Sequence, residues 1–188
     1  MKRLEDLPRL SNIDGLMAIK KAILPRIALR KDPKAQPQDD ISHHVMICGD
    51  TGCASSGSQA IIAAFKEELA SRNLEKNVEI VVIGCHGFCE MGPLLVIYPN
   101  DVYYIRLRPD DVPEIIEETI LRGELIPKLL YHDRETLRPI VRYQEIEFYA
   151  KQNRILLANC GQINPEDVEE YIANDGYLAL AKALSQND

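Results

Sequence analysis

No run of apolar residues in this chain is long enough to span a bilayer. The opening M-K-R-L-E-D-L-P-R-L carries basic residues, but no apolar stretch of signal-peptide type follows it. A cytoplasmic protein without a membrane span is therefore expected. Basic residues are in the minority, with 22 Lys and Arg against 29 Asp and Glu and a formal net charge of -7. That balance argues against a nucleic-acid module, which normally shows a basic face. Internal repeats and low-complexity segments are absent. No G-x-G-x-x-G occurs, so the sequence offers no dinucleotide loop. No C-x-x-C occurs, so a thiol–disulfide catalyst is not expected. No grouping of serine, histidine and acid suggests acyl transfer.

What the chain does have is cysteine in an orderly pattern. Cys48 and Cys53 fall in C-G-D-T-G-C, and Cys85 and Cys89 fall in G-C-H-G-F-C-E-M-G-P. Cys160, in N-C-G, is the odd fifth. Five cysteines in a cytoplasmic protein argue against a disulfide framework. Nearly half of the residues, 46%, are apolar, so a core of useful size is available without disulfides.

The periodicities place the two pairs. Ile13 to Arg30 reads as an amphipathic helix, weakened at Pro25, and K-D-P-K-A-Q-P-Q-D-D reads as a polar linker. His43–Cys48 and Val78–Ile83 are short, apolar and rich in β-branched residues, as buried strands are. Between them, Ile61, Phe65 and Leu69 recur at helical spacing over Ser55 to Arg72, with Ser55 and Ser56 expected to cap the first turn. Leu94 to Tyr98 and Val102 to Ile105 flank the turn Pro99-Asn100-Asp101 and predict a hairpin. Pro109 to Leu121 follows as a helix ended by Gly123.

Beyond residue 124 come short apolar segments around Lys128 to Tyr131, Ile140 to Tyr143 and Ile155 to Leu157. A helix is expected to start at Asn164-Pro165-Glu166-Asp167, and another over Tyr177 to Leu184. The order β-α-β then β-β-α predicts an α/β, thioredoxin-like fold. It divides into an N-terminal helical arm and linker (1–40), the α/β domain (41–125) and an α-rich connector (126–188). Both cysteine pairs then follow the carboxyl ends of neighbouring parallel strands, where α/β sheets tend to bind ligands.

Four thiolates on two such loops suit several centres. Structural zinc takes four cysteines, usually with two residues between members of a pair, whereas here four and three intervene. A [2Fe–2S] cluster also takes four thiolates and spreads them over two irons, which longer spacings allow. Gly49, Gly52, Gly84, Gly87 and Gly92 let backbone N–H groups approach sulfur. Buried, unliganded cysteines beside ordinary turns are the remaining alternative.

V-M-I-C-G-D-T-G-C-A-S-S-G-S and V-V-I-G-C-H-G-F-C-E-M-G-P-L-L-V-I-Y-P resemble the thioredoxin-like [2Fe–2S] ferredoxin domain. That domain is found as a free ferredoxin, as a small subunit of respiratory complex I, and at the start of the NADH/FMN-binding subunit of multimeric [FeFe]-hydrogenases and NAD-linked formate dehydrogenases. The tail from Glu147 to Leu184 resembles the connector of that hydrogenase-type flavoprotein subunit, so the resemblance spans about residues 40–184.

It implies a [2Fe–2S] cluster on Cys48, Cys53, Cys85 and Cys89. It also implies one-electron transfer without turnover by this chain alone, and partners within an NAD(P)-linked redox complex. Those partners would be a flavin/NADH domain, a hydrogenase-type subunit and a small ferredoxin-like subunit, with a second copy of this chain in a homodimer as the further candidate. The resembled subunit continues into a flavin domain whose glycine-rich loop is missing here, so no FMN or NAD site is expected in these residues. The rival reading is a thioredoxin-like assembly module with zinc or no metal.

The other reactive side chains have plainer readings. Cys160 reads as a structural thiol. His86 lies between two presumed ligands and reads as exposed or as a neighbour of the ligands. His43 and His44 start a strand and make no metal site. Glu117 and Glu118 form a solvated helix face.

Overall fold

The computed structural model describes residues 13–32, 34–36 and 40–186. The opening stretch 1–12 and linker positions 33 and 37–39 lie outside the described residues. Four strands form the main sheet: β1 (His43–Cys48), β2 (Val78–Ile83), β3 (Leu95–Tyr98) and β4 (Val102–Tyr104), in the order β2-β1-β3-β4. β1 and β2 run parallel with Cys48 opposite Ile83, while β3 pairs antiparallel with both β1 and β4. This mixed sheet, with a helix crossing from β1 to β2 and a hairpin after it, is the expected thioredoxin-like arrangement.

The alternation along each strand divides the core into two layers. Val45, Ile47, Leu95, Ile97 and Tyr104 face Ile61, Phe65 and Leu69 of α3 (Ser58–Ser71), together with Val112, Ile115 and Ile116 of the helix after β4. Phe65 is completely enclosed there; truncating it to alanine should cost about 3–5 kcal/mol. Met46, Cys48, Val81, Ile83, Val96 and Tyr103 point the other way. Tyr131, Tyr143, Ile146 and Tyr149, all later in the chain than residue 125, cover them. A strand covered on both faces must be apolar throughout, which is why β1 shows little alternation in sequence.

Three local departures from the sequence reading have clear causes. The helix expected over Ser55 to Arg72 is two helices, α2 (Thr51–Ser55) and α3, separated by Gly57 in a left-handed conformation at φ 98°. Ser55 and Ser56 therefore do not cap α3. Their hydroxyls donate back to the carbonyls of Thr51 and Gly52, at 2.5 and 3.0 Å, and close α2 instead. The cap of α2 is Asp50, whose carboxylate accepts from the Thr51 N–H at 2.7 Å.

The helix after β4 begins with a 3₁₀ turn over Pro109–Asp111. It continues through α4 (Val112–Glu114) and then widens to a π-helix over Ile115–Leu121. Near the end of the chain, α6 (Val168–Ala173) starts later than expected. Asp167 accepts from the N–H groups of Glu169 and Glu170, while Asn164 closes a turn ahead of the helix by accepting from Glu166 N–H.

The remaining elements are α1 (Ile13–Ile27), a small hairpin of β5 (Tyr131–His132) and β6 (Pro139–Ile140), α5 (Glu147–Ala150) and α7 (Leu178–Ser185). The apolar segment at Ile155, Leu156 and Leu157 belongs to no strand and is exposed. No described helix is long and apolar enough to cross a membrane.

A buried ionic junction ties the segment after α1, and helix α6, to β1. Just after α1, the Arg30 guanidinium donates to Glu170 of α6 at 2.7 and 3.0 Å, and its Nε donates to His44 Nδ1 at 2.9 Å. Glu170 also accepts from the Asn164 N–H at 2.8 Å. His44 and Glu170 are each only 1% exposed. The pair is tolerated in the interior because its charges cancel and each group is hydrogen-bonded.

Candidate metal centre

The parallel pairing of β1 and β2 brings both cysteine loops to one end of the sheet. Cys48 is the last residue of β1 and Cys53 lies in α2. Cys85 follows β2 by two residues, and Cys89 opens a 3₁₀ turn over Cys89–Met91. The Gly49 N–H donates to the Ile83 carbonyl at 2.9 Å and the Cys48 N–H to the Leu94 carbonyl at 3.2 Å, so the two loops leave the sheet side by side.

The loops then interlock through two glycines. A Cβ placed on Gly52 would sit 3.0 Å from Cys89 Sγ, and one placed on Gly92 would sit 2.8 Å from Cys53 Sγ. Each glycine neighbours a cysteine in its own loop or turn and gives way to a cysteine of the other. A side chain at either position would fill the space around the sulfurs.

The four thiols form two pairs. Cys85 and Cys89 have their sulfurs 3.6 Å apart. Cys48 and Cys53 share a hydrogen bond. That bond draws the Cys48 thiol down to about 6, helped by the backbone N–H groups of Asp50 and His86 and opposed by burial. The same bond, with burial, pushes Cys53 in the opposite direction, so Cys48 is the more acidic member of the pair. The pairs feel one another electrostatically, Cys48 acting on Cys85 and Cys89 on Cys53. Further backbone donors face the sulfurs, Leu94 N–H toward Cys53 and Gly87 N–H toward Cys85 at 3.4 Å.

Among the described residues, no three His, Cys, Asp or Glu side chains converge as they would around a single ion. Two thiol pairs at one end of the sheet, with glycines packed against Cys53 and Cys89 and N–H groups aimed at sulfur, fit a two-iron cluster by donor chemistry. Exposure is graded across the set. Cys48 and Cys53 are buried, Cys85 is half-buried and Cys89 is exposed. Beside Cys89 lies a groove of about 710 Å³ whose walls include Phe88, Glu90, Arg134 and Phe148.

Other side chains singled out from the sequence stand apart from this set. Cys160 lines a small cleft with Arg154 and Gln162. His43 accompanies Ser42, and His44 belongs to the Arg30 junction. Glu117 and Glu118 pair with Arg72 and Arg122 on a helix surface.

His86 needs correction as far as exposure goes: it is 1% exposed. Its Nδ1 is 3.0 Å from the Tyr149 hydroxyl, and its ring meets Tyr143 edge-on at 4.4 Å between centroids. Burial, with Arg154 nearby, holds the imidazole down at about 4 and keeps it neutral at neutral pH. Tyr143, Tyr149, Arg154 and Gly161 carried no such signal in the sequence.

The chain is similar in sequence to known proteins. The family model described as thioredoxin-like [2Fe-2S] ferredoxin matches residues 34–120. A 2Fe-2S ferredoxin of Clostridium pasteurianum is 38% identical over 97 residues, covering 46% of this chain and 93% of that protein. One of Aquifex aeolicus is 33% identical over 96 residues, covering 46% and 86%. A subunit of the NADH-quinone oxidoreductase of Rickettsia bellii is 31% identical over 80 residues, covering 40% of this chain and 47% of that protein. With the paired thiols, the strand-end loops and the sequence match in agreement, this chain belongs to the thioredoxin-like [2Fe-2S] ferredoxins.

Proposed function

We propose that Cys48, Cys53, Cys85 and Cys89 are the four ligands of the [2Fe–2S] cluster, and that the chain relays single electrons inside a multi-subunit NAD(P)H-linked oxidoreductase. The observation that carries the ligand set is the reciprocal fit of the loops, in which Gly52 yields to Cys89 and Gly92 yields to Cys53. When bound, the cluster supplies a centre that takes up and releases one electron.

The protein's own residues do the rest. The N–H groups of Asp50, His86, Gly87 and Leu94 offset negative charge on the sulfurs. Such hydrogen bonds are among the factors that set the potential of an iron–sulfur centre. The buried side of the site keeps water from Cys48 and Cys53, which are each 1% exposed. Exposed Cys89 and the groove beside it offer the shortest path to a partner.

The similarity to one component of NADH-quinone oxidoreductase supports membership of a larger redox complex. The hydrogenase-type variant of that complex rests on the resemblance of the tail after residue 146 to the connector of that flavoprotein.

The test is a set of single substitutions. Cys48→Ser, Cys53→Ser, Cys85→Ser and Cys89→Ser should each lower iron content and bleach the visible absorption, while Cys160→Ser should keep both. Equal loss in Cys160→Ser would overturn the ligand assignment.

A further inference from the structure

The segment after residue 125 reaches back to the second ligand loop, and His86 is where it lands. The Arg154 guanidinium donates to the His86 carbonyl at 3.2 Å and lies over the Tyr149 ring, 5.0 Å from its centroid. Tyr149 shares a hydrogen bond with His86 Nδ1 at 3.0 Å. Gly161, in a left-handed conformation at φ 80°, packs so tightly that a Cβ there would meet His86 Cδ2 at 2.5 Å. Beside this cup, Phe88 of the ligand loop stacks on Phe148, with centroids 5.5 Å apart and planes 9° from parallel.

On its other side, His86 is bonded to Cys85 and directs its backbone N–H at the sulfur of Cys48. One residue thus touches both thiol pairs through its backbone and the connector through its ring and carbonyl. The connector lies outside the residues matched by the family model, which end at 120. The domain common to the family does not by itself contain this cup.

We propose that His86 is a positioning residue for the metal centre, and that Tyr149, Arg154 and Gly161 of the connector are working parts of that centre. Together they fix the path of the Cys85–Cys89 loop and the direction of the His86 N–H. Fixing a ligand loop from behind is what outer-shell hydrogen bonds do at metal sites, and losing such partners typically costs about 10–100-fold in metal affinity. The inference rests on the [2Fe–2S] reading above.

The experiment compares Tyr149→Phe, Gly161→Ala, His86→Asn and His86→Leu in the full chain. It reads the g values of the reduced protein, the rate of iron loss to a chelator, and amide exchange over residues 84–92 in metal-free protein. Gly161→Ala should shift the g values, speed iron loss about tenfold, and loosen the loop even without metal. Tyr149→Phe, which removes only a hydroxyl, should move each readout the same way by less. His86→Asn, whose amide can reach the Nδ1 position, should retain iron better than His86→Leu.

A lower melting temperature with wild-type g values and iron-loss rates in both Gly161→Ala and Tyr149→Phe would show a merely structural role and overturn the proposal. So would equal behaviour of His86→Asn and His86→Leu. If Gly161→Ala does not fold, Tyr149→Phe decides. Failure of the cluster reading itself would appear separately, as wild-type protein without iron, whereas the metal-free exchange data do not depend on it.

Discussion

Gly92 lies against Cys53 so closely that a methyl group on Gly92 would sit 2.8 Å from Cys53 Sγ. Gly52 bears the same relation to Cys89 at 3.0 Å. These contacts cross from one ligand loop to the other, so each glycine is required by the partner loop's cysteine. We expect Gly52→Ala and Gly92→Ala to fold but to load less iron, read as the ratio of visible to ultraviolet absorbance. Gly57→Ala is the contrast. A Cβ there meets nothing within 4 Å, and only the strain of φ 98° opposes it, so stability should fall by about 1 kcal/mol or more while iron content stays unchanged.

Glu170 is buried with Arg30 and compensates its charge at 2.7 and 3.0 Å. Glu170→Gln leaves the guanidinium buried and unpaired, which should destabilise the protein by about 3–5 kcal/mol. Urea unfolding measures this. Replacing both partners with apolar residues of similar volume should recover much of the loss, because no uncompensated charge would remain.

His44 gives the same junction a pH dependence. Its imidazole is held at about 4, first by burial and then by the Arg30 charge, with Arg26 adding to the effect and Glu79 and Glu170 opposing it. The folded value lies below the ordinary 6.5, so the folded protein binds fewer protons than the unfolded chain between those values. The associated stability is present in full above pH 6.5 and is lost as the pH falls toward 4, to a total of at most about 3 kcal/mol. His44→Gln should flatten that part of the stability curve, measured on metal-free protein by thermal melts from pH 7 to pH 4. A curve as steep as wild type would show that another group is responsible.

Tyr104 ties the hairpin to the π-helical segment. Its hydroxyl lies 2.7 Å from Thr119 Oγ1 and accepts from the Ile126 N–H at 2.9 Å. Tyr104→Phe leaves that N–H without its acceptor, and we expect a loss of about 1–3 kcal/mol with no change in iron content.

The strands and the four cysteines were legible in sequence because their signals are local. Val45, Met46 and Ile47 are buried between two layers and so are uniformly apolar, and each cysteine pair spans only a few residues after a strand. The cup around His86 was not legible. Its partners Tyr149 and Arg154 lie 63 and 68 residues away, and no periodicity links them to the loop. The break at Gly57 was also hidden, because Ile61, Phe65 and Leu69 keep helical spacing whether or not the helix starts at Ser55. The π-helical widening over Ile115–Leu121 preserves an apolar face that reads as an ordinary helix.

The most direct test of the cluster on Cys48, Cys53, Cys85 and Cys89 is iron and acid-labile sulfide content, together with EPR, on anaerobically purified protein. We expect brown protein with about two iron and two sulfide per chain, EPR-silent until dithionite reduction and then paramagnetic. Colourless protein with one zinc per chain and no signal on reduction would contradict it.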